Sequence, residues 1–110
     1  MCGILGINSK IIDLNNFKES LSLLSNRGPN DSGIIRINEK LFFGHRRLSI
    51  QDLSQNAAQP MVSDDNRYTI VYNGEIYNFK NLRENMIQLG HNFNSKSDTE
   101  VLLKMYSLYS

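Results

Sequence analysis

The sequence predicts one domain of the α+β class, because strand-like and helix-like segments with different periodicities follow one another along its 110 residues. β-Branched and aromatic runs predict strands at the start and in the middle of the chain. Apolar residues that recur every three or four positions predict helices after the first strand and at the end. A hydrophobic content of 40% suits one buried core, so two domains are not expected.

The chain opens with the apolar run 3–7, which contains two glycines and predicts a buried strand. The helix that follows begins after Asp13, a residue type that caps helix N-termini. Its apolar face consists of Leu14, Phe17, Leu21 and Leu24. Gly28 and Pro29 stop this helix, because proline cannot continue a helix and glycine favours its end.

A hairpin and one further strand are predicted in the middle of the chain. The apolar runs 34–37 and 41–43 flank the polar residues 38–40 in the manner of a hairpin. The run 68–72 is β-branched and aromatic, which favours a strand. Residues 73–74 are Asn-Gly and predict a turn, because both residue types tolerate positive φ.

Two helices are predicted at the end of the chain. The first begins near Asn78 and stops at Gly90, and one face of it carries Phe79, Leu82, Met86 and Leu89. The second begins at Ser97-Asp98-Thr99-Glu100, which matches a capping box. In a capping box, the first and fourth side chains each satisfy a free backbone donor at the helix start.

Charge and hydropathy exclude several classes of partner. Twelve Lys and Arg against 11 Asp and Glu leave a net charge of +1, so no strong field attracts nucleic acid or an anionic membrane. The apolar opening breaks at Asn8 and has no basic flank, which makes it too short for a signal peptide or a membrane span. We therefore expect a cytoplasmic protein without nucleic-acid or membrane partners.

Cys2 is the single cysteine, which excludes an internal disulfide, and with only two histidines the chain has no ligand pair at zinc-site spacing. A lone cysteine is commonly a small buried hydrophobe, but a small residue at position 2 permits removal of Met1. The thiol and a free α-amine then share one residue. That amine has a pKa of about 8, so it can take the thiol proton and activate the sulfur as a nucleophile.

Several motifs occur in order along the chain. Met1-Cys2-Gly3-Ile4, Arg27-Gly28-Pro29 and Asn73-Gly74-Glu75 resemble the class II glutamine amidotransferases, which are N-terminal-nucleophile hydrolases. Residues 45–52 (HRRLSIQD), 59–61 (QPM), 71–78 and 97–101 (SDTEV) are most similar to the glutaminase domain of asparagine synthetase. Each motif alone is weak, but their order and spacing together favour this family.

The resemblance implies an αββα sandwich, in which two antiparallel sheets pack between layers of helices. Residues 1–110 match only the N-terminal part of that type-2 domain, so we expect an incomplete sandwich with uncovered sheet edges. The synthetase domain, with its ATP and Mg²⁺, is absent, and no phosphate-binding glycine loop occurs here, so no cofactor is expected in this chain. The implied partners are the remaining half-domain, the synthetase domain and a second copy in a homodimeric full-length enzyme.

The resemblance also implies a reaction. The Cys2 thiolate attacks the side-chain amide of glutamine, ammonia leaves, and water hydrolyses the glutamyl thioester. The Asn73 side chain and the Gly74 backbone N–H form the oxyanion hole, which stabilises the charge on the amide oxygen. Without the other motifs, a simple Asn-Gly hairpin turn is the favoured interpretation of Asn73 and Gly74.

Glutamine carries an α-carboxylate and an α-ammonium, and the resemblance assigns these to Arg47 and Asp98. The planar guanidinium suits a carboxylate, and a carboxylate accepts from an ammonium. The main chain near Ile50 and Gln51, together with Glu75, lines the same pocket by resemblance. Taken alone, Arg47 also fits a solvated charge at a strand end, and Asp98 fits a first-turn residue that favours the helix dipole.

Other candidate residues receive structural interpretations. We expect His45 to be a hydrogen-bonded structural histidine rather than a partner of the cysteine. Asp64 and Asp65 lack the further ligands of a calcium loop and are expected in a solvated turn. Asn30 stands where many relatives have aspartate, and the turn chemistry is kept.

Three functional hypotheses remain open. The first is the glutaminase part of an asparagine synthetase, which makes asparagine from aspartate, glutamine and ATP in the complete enzyme. The second keeps the glutamine chemistry but has another acceptor, as in amidophosphoribosyl or glucosamine-phosphate amidotransferases. The third is a truncated stub that keeps the pocket residues without activity.

Overall fold

The computed structural model describes residues 2–48 and 54–110. Within them the chain forms two antiparallel sheets and three α-helices, which confirms the α+β class. In chain order the elements are β1 (Gly3–Asn8), α1 (Leu14–Ser22), β2 (Asp31–Asn38), β3 (Leu41–Arg47), a 3-10 turn (Gln55–Ala57), β4 (Met61–Val62), β5 (Thr69–Ile70), α2 (Phe79–Gln88) and α3 (Asp98–Tyr109). No helix among these residues is long and apolar enough to cross a membrane.

The larger sheet has the strand order β1-β3-β2, and the predicted hairpin is confirmed as the pair β2 and β3. β3 is the central strand and pairs antiparallel with both neighbours. Gly3 lies opposite Arg46, and Asp31 lies opposite Arg47. This register brings the start of β1, and Cys2 just before it, to the end of β3.

Helix α1 covers one face of this sheet. Phe17 and Leu21 are buried, and the rings of Phe17 and Phe42 meet edge to face with centroids 5.7 Å apart. A Cβ at Gly44 would lie 3.0 Å from the Phe17 ring, so the small residue lets the helix approach β3. Burying each of these large side chains stabilises the fold by about 1.5–3 kcal/mol.

The smaller sheet and α3 form the second packed region. Val101 of α3 is fully buried, and Leu103, Met61 and Met86 are buried with it. The rings of Tyr68 and Tyr106 contact edge to face, with centroids 5.1 Å apart. α3 therefore packs across the β4–β5 pair, which places its first residue, Asp98, near the segment that follows β5.

The first strand forms as predicted, but the expectation that it is buried is wrong. Ile4 is 46% exposed and Ile7 is 37% exposed. β1 is an edge strand with β3 as its single partner among the described residues, so one of its edges has no neighbour there. Periodicity alone does not reveal how many strands lie beside a run.

The strand predicted at 68–72 is shorter, because only Thr69–Ile70 pair with β4. The turn predicted at Asn73 and Gly74 is also not of the expected kind. Gly74 lies in a bend, and the positive φ angles among the described residues belong to Asn66 and Gly90. The chain therefore leaves β5 through a bend in which neither Asn73 nor Gly74 has a positive φ angle.

The helix ends follow the sequence signals in part. The Asp13 carboxylate accepts from the backbone N–H groups of Asn15 and Asn16, and Gly90 has φ 98°, as its position after α2 predicts. Asn78 is the N-cap residue of α2 but makes no side-chain capping bond. The start of α3 is held by hydrogen bonds beyond those of the predicted capping box.

The capping box predicted at α3 forms only by half. The Ser97 hydroxyl accepts from Thr99 N–H at 3.1 Å. Glu100, however, accepts from the backbone N–H groups of Asn94 and Ser95 and from the Ser95 hydroxyl. The Ser97 N–H donates to that same hydroxyl, so Glu100 organises the whole loop before the helix.

Candidate active site

Cys2 is half-buried and precedes β1 directly. The backbone N–H of Leu48 donates to the Cys2 Sγ at 3.3 Å, and the Leu48 carbonyl lies 3.7 Å from the same sulfur. The Arg27 Nε donates to the Cys2 carbonyl at 3.3 Å. The thiol thus contacts Leu48, the residue that follows Arg47 at the end of β3. The Cys2 backbone is held by Arg27, which lies in the loop after α1.

The Arg27-Gly28-Pro29 motif packs against the same strand end. A Cβ at Gly28 would lie 2.2 Å from the carbonyl carbon of Arg46, so no larger residue fits without movement of the backbone. The Arg46 Nε donates to the Gly28 carbonyl at 3.0 Å, and Asn30 N–H donates to the Arg47 carbonyl at 2.9 Å. This motif therefore fixes the turn beside Cys2. The sequence alone predicted a turn there but not which strand it packs against.

Arg47 ends β3 and is only 6% exposed. Its Nη1 donates to the Ser54 carbonyl at 2.8 Å. The alternative interpretation of Arg47 as a solvated strand-end charge is therefore wrong. The guanidinium provides a fixed cation at the end of β3, one residue before the Leu48 N–H that donates to the thiol.

Asp98 opens α3 and is 4% exposed. Its Oδ2 accepts from the backbone N–H of Ile76 at 3.0 Å, which ties the helix start to the residues just after Asn73, Gly74 and Glu75. Those three residues are exposed. Asp98 lies in the first turn as predicted, and it also anchors this loop.

Tyr72 joins this cluster, although nothing in the sequence singled it out. A Cβ at Gly74 would lie 2.7 Å from the Tyr72 hydroxyl oxygen, so the ring folds over Gly74. Burial raises the pKa of Tyr72, and the negative charges of Asp98 and Glu75 raise it further. Two carboxylates therefore lie close enough to act on one phenol, which marks a negative region.

His45 lies on β3 and is 1% exposed. Among the described residues neither ring nitrogen has a hydrogen-bond partner, so the expected structural histidine is buried but not hydrogen-bonded there. Burial lowers the pKa of His45 from its ordinary value of 6.5, and the Arg47 charge adds to this. The Tyr72 carbonyl and Asp31 act in the opposite direction, although that carbonyl does not meet hydrogen-bond geometry.

The predicted site residues form two groups. Cys2 contacts Leu48, the residue after Arg47, at the end of the β1–β3 pair, and Asp98 accepts from Ile76 N–H in the loop that carries Asn73, Gly74 and Glu75. No hydrogen bond among the described residues joins Asn73 or Gly74 to Cys2. Ile50 and Gln51 lie outside the described residues.

Asp64 and Asp65 occupy an exposed turn, as predicted. Asp64 pairs with Lys104 at 2.9 Å. The Ser63 hydroxyl donates to Asp65 at 2.7 Å, which lowers the pKa of Asp65, and a backbone bond from Arg67 adds to this. These contacts give both carboxylates structural roles.

Comparison with known proteins agrees with the motifs. A sequence model of the glutamine amidotransferase domain matches residues 1–110. Asparagine synthetase (glutamine-hydrolyzing) 1 of Bacillus subtilis (strain 168) is 41% identical over 115 residues, which cover 99% of this chain and 18% of that protein. The probable asparagine synthetase (glutamine-hydrolyzing) of Dictyostelium discoideum is 39% identical over 111 residues, 96% of this chain and 20% of its own length.

The probable asparagine synthetase (glutamine-hydrolyzing) of Schizosaccharomyces pombe is 40% identical over 110 residues, 96% of this chain and 19% of its own length. The chain thus spans about a fifth of the length of these curated relatives. The family match, in contrast, extends from the first residue to the last. The chain belongs to the glutamine amidotransferase domain family.

Proposed function

We propose that this chain hydrolyses glutamine and releases ammonia, as the glutaminase part of an asparagine synthetase. The observation that carries the proposal is the position of the Cys2 thiol, half-buried and held by the Leu48 N–H beside the buried Arg47. Family membership supports it, since the similar proteins are asparagine synthetases named as glutamine-hydrolysing.

In the proposed reaction, the free α-amine of Cys2 takes the thiol proton once Met1 has been removed. The thiolate then attacks the side-chain amide carbon of glutamine, and a carbon–sulfur bond forms. The carbon–nitrogen bond breaks as the ammonium group of Cys2 returns its proton to the leaving nitrogen, which departs as ammonia. Water, deprotonated by the same amine, hydrolyses the thioester and gives glutamate.

The charges around the site support recognition of a free amino acid. Arg47 supplies a buried cation for the α-carboxylate, and Asp98 supplies a buried anion for the α-ammonium. Glu75 lies in the same negative region, because it and Asp98 both act on Tyr72. Ile50 and Gln51 are assigned to this pocket by resemblance.

The oxyanion hole is assigned to the Asn73 side chain and the Gly74 backbone N–H. Both residues are exposed, so their donors are accessible to a ligand. Removing one donor of such a pair typically costs about 10²–10³ in rate. Asn73→Ala should therefore slow hydrolysis by that factor while Cys2 remains reactive.

For the complete enzyme we propose the αββα sandwich of N-terminal-nucleophile hydrolases. The free edge of β1 and the exposed Ile4 and Ile7 suit pairing with further strands of such a domain. The synthetase domain, its ATP and Mg²⁺, and a homodimeric assembly belong to the same proposal. Ammonia from this site would then reach aspartate as the acceptor.

The test uses the purified chain with Met1 removed, verified by intact mass. We expect glutamate and ammonia from glutamine, and none from Cys2→Ala or from chain that retains Met1. A diazoketone analogue of glutamine should alkylate Cys2 alone, and glutamine should block the labelling. A folded sample that shows no labelling and no ammonia would refute the proposal and favour a stub without activity.

A further inference from the structure

Gln59 belongs to the Gln59-Pro60-Met61 motif, for which the proposed chemistry has no use. We infer that Gln59 is a positioning residue that holds the two groups of site residues at a fixed separation. This role rests on the proposed glutamine hydrolysis. The contacts of Gln59 with the sheet, the loop after β5 and the start of α3 carry it.

The backbone of Gln59 lies directly on the larger sheet. A Cβ at Gly33 would be 2.2 Å from the Gln59 carbonyl oxygen and 3.0 Å from Pro60 Cδ. Gly33 is the register partner of His45 on β3, two residues before Arg47. The main chain at Gln59 thus packs against β2, the strand that pairs with the strand carrying Arg47.

The side chain of Gln59 binds both the loop that carries Asn73, Gly74 and Glu75 and the helix start that carries Asp98. Its Oε1 accepts from the backbone N–H of Tyr72 at 2.6 Å, and its Nε2 donates to the Thr99 hydroxyl at 3.2 Å. Tyr72 immediately precedes Asn73, and Thr99 immediately follows Asp98. One amide therefore binds next to the oxyanion loop and next to the proposed ammonium ligand.

The chemistry of the amide fits this junction. The Tyr72 N–H requires an acceptor, so it fixes the amide oxygen on that side and directs the nitrogen to Thr99. Thr99 is 3% exposed, so its hydroxyl has few alternative partners. The Asp98 bond to Ile76 N–H joins the loop to the helix, and Gln59 joins both of them to the sheet.

Gln59→Met tests this role, because methionine has a similar length and forms neither hydrogen bond. Gln55→Met is the matched control, since the exposed Gln55 amide has one partner among residues 2–48 and 54–110, the Asp31 carboxylate at 3.4 Å. A second pair of variants, at position 99, tests the same hydrogen bond without changing the residue at position 59. Thr99→Val removes the hydroxyl that accepts from Gln59, whereas Thr99→Ser keeps it.

The measured quantity is the glutamine concentration that half-protects Cys2 from the diazoketone, in the chain with Met1 removed. We expect a rise of roughly tenfold in Gln59→Met and a smaller rise in Thr99→Val. Gln55→Met and Thr99→Ser should match the wild type. Hydrogen exchange at the Tyr72 N–H should also accelerate in Gln59→Met, because that amide loses its acceptor.

Two failures can be told apart. If the wild-type chain is not labelled by the diazoketone, the proposed function is refuted and the positioning role falls with it. If the wild type is labelled, and folded Gln59→Met and Thr99→Val are protected by the same glutamine concentration, only the role of Gln59 is refuted. Should Gln59→Met fail to fold, the comparison of Thr99→Val with Thr99→Ser decides alone.

Discussion

Replacing His45 with glutamine should flatten the dependence of stability on pH in the acidic range. The His45 ring is 1% exposed, no residue in the described part of the chain hydrogen-bonds to either nitrogen, and burial lowers its pKa from 6.5. In the unfolded chain the ring takes up a proton at its ordinary pKa. The folded state resists that proton, so acid favours the unfolded state.

The magnitude follows from proton linkage. Above the unfolded pKa His45 is neutral in both states, so it contributes nothing to the pH dependence of stability there. Below it, the unfolded state binds one more proton, and the free energy of unfolding falls by up to about 1.4 kcal/mol for each pH unit. This decline ends at the lowered pKa of the folded state, where both forms are protonated.

Urea unfolding measures the effect in wild type and in His45→Gln, at several values between about pH 8 and about pH 5. Glutamine cannot titrate, so the free energy of unfolding of the wild type relative to that of His45→Gln should fall as the pH falls. The absolute stability of the variant is not used, because a buried amide has its own cost. Parallel curves for the two proteins would show that the folded state does not keep His45 neutral.

Three further changes are predicted from the geometry of the site. Gly28→Ala should lower the free energy of unfolding in urea by roughly 1–3 kcal/mol, because its Cβ would lie 2.2 Å from the Arg46 carbonyl carbon. The control Gly6→Ala, whose nearest contact is 3.5 Å, should change it by less than about 0.5 kcal/mol, and equal effects in the two variants would contradict the close packing at Gly28. Asp98→Asn should raise the half-protecting glutamine concentration by roughly tenfold or more, since the asparagine amide can still accept from Ile76 N–H but lacks the charge of the carboxylate. Protection equal to that of the wild type would show that Asp98 does not bind the α-ammonium of glutamine. Arg47→Lys should weaken protection in the same assay, because lysine lacks the planar fork, and unchanged protection would exclude Arg47 as the carboxylate ligand.

Local signals in the sequence predicted most of the secondary structure. Asp13 and Ser97 cap helices, and Gly90 ends one, because these preferences depend on the backbone of adjacent residues. The hairpin of β2 and β3 followed from apolar runs on either side of a polar turn. The strand predicted after residue 68 is short because its partner β4 pairs through Met61–Val62, which limits the pairing to Thr69–Ile70.

The exposure of individual residues could not be predicted in the same way. Arg47 is buried and donates from its Nη1 to the Ser54 carbonyl, whereas Ile4 is 46% exposed on β1, an edge strand among the described residues. His45 is buried by the strands and loops that surround it. None of these surroundings is encoded within a few residues of the position concerned.

The sequence by itself determined the chemistry that this protein can offer: a thiol beside a potential α-amine, one arginine and one aspartate matching a glutamine pocket, and the helix and strand periodicities. Only the tertiary structure decided which groups meet. Gln59 binds partners 13 and 40 residues away, and Cys2 meets Leu48 across 46 residues. Such contacts depend on strand register and helix docking, which many distant side chains set together, whereas a helix cap depends on its immediate neighbours.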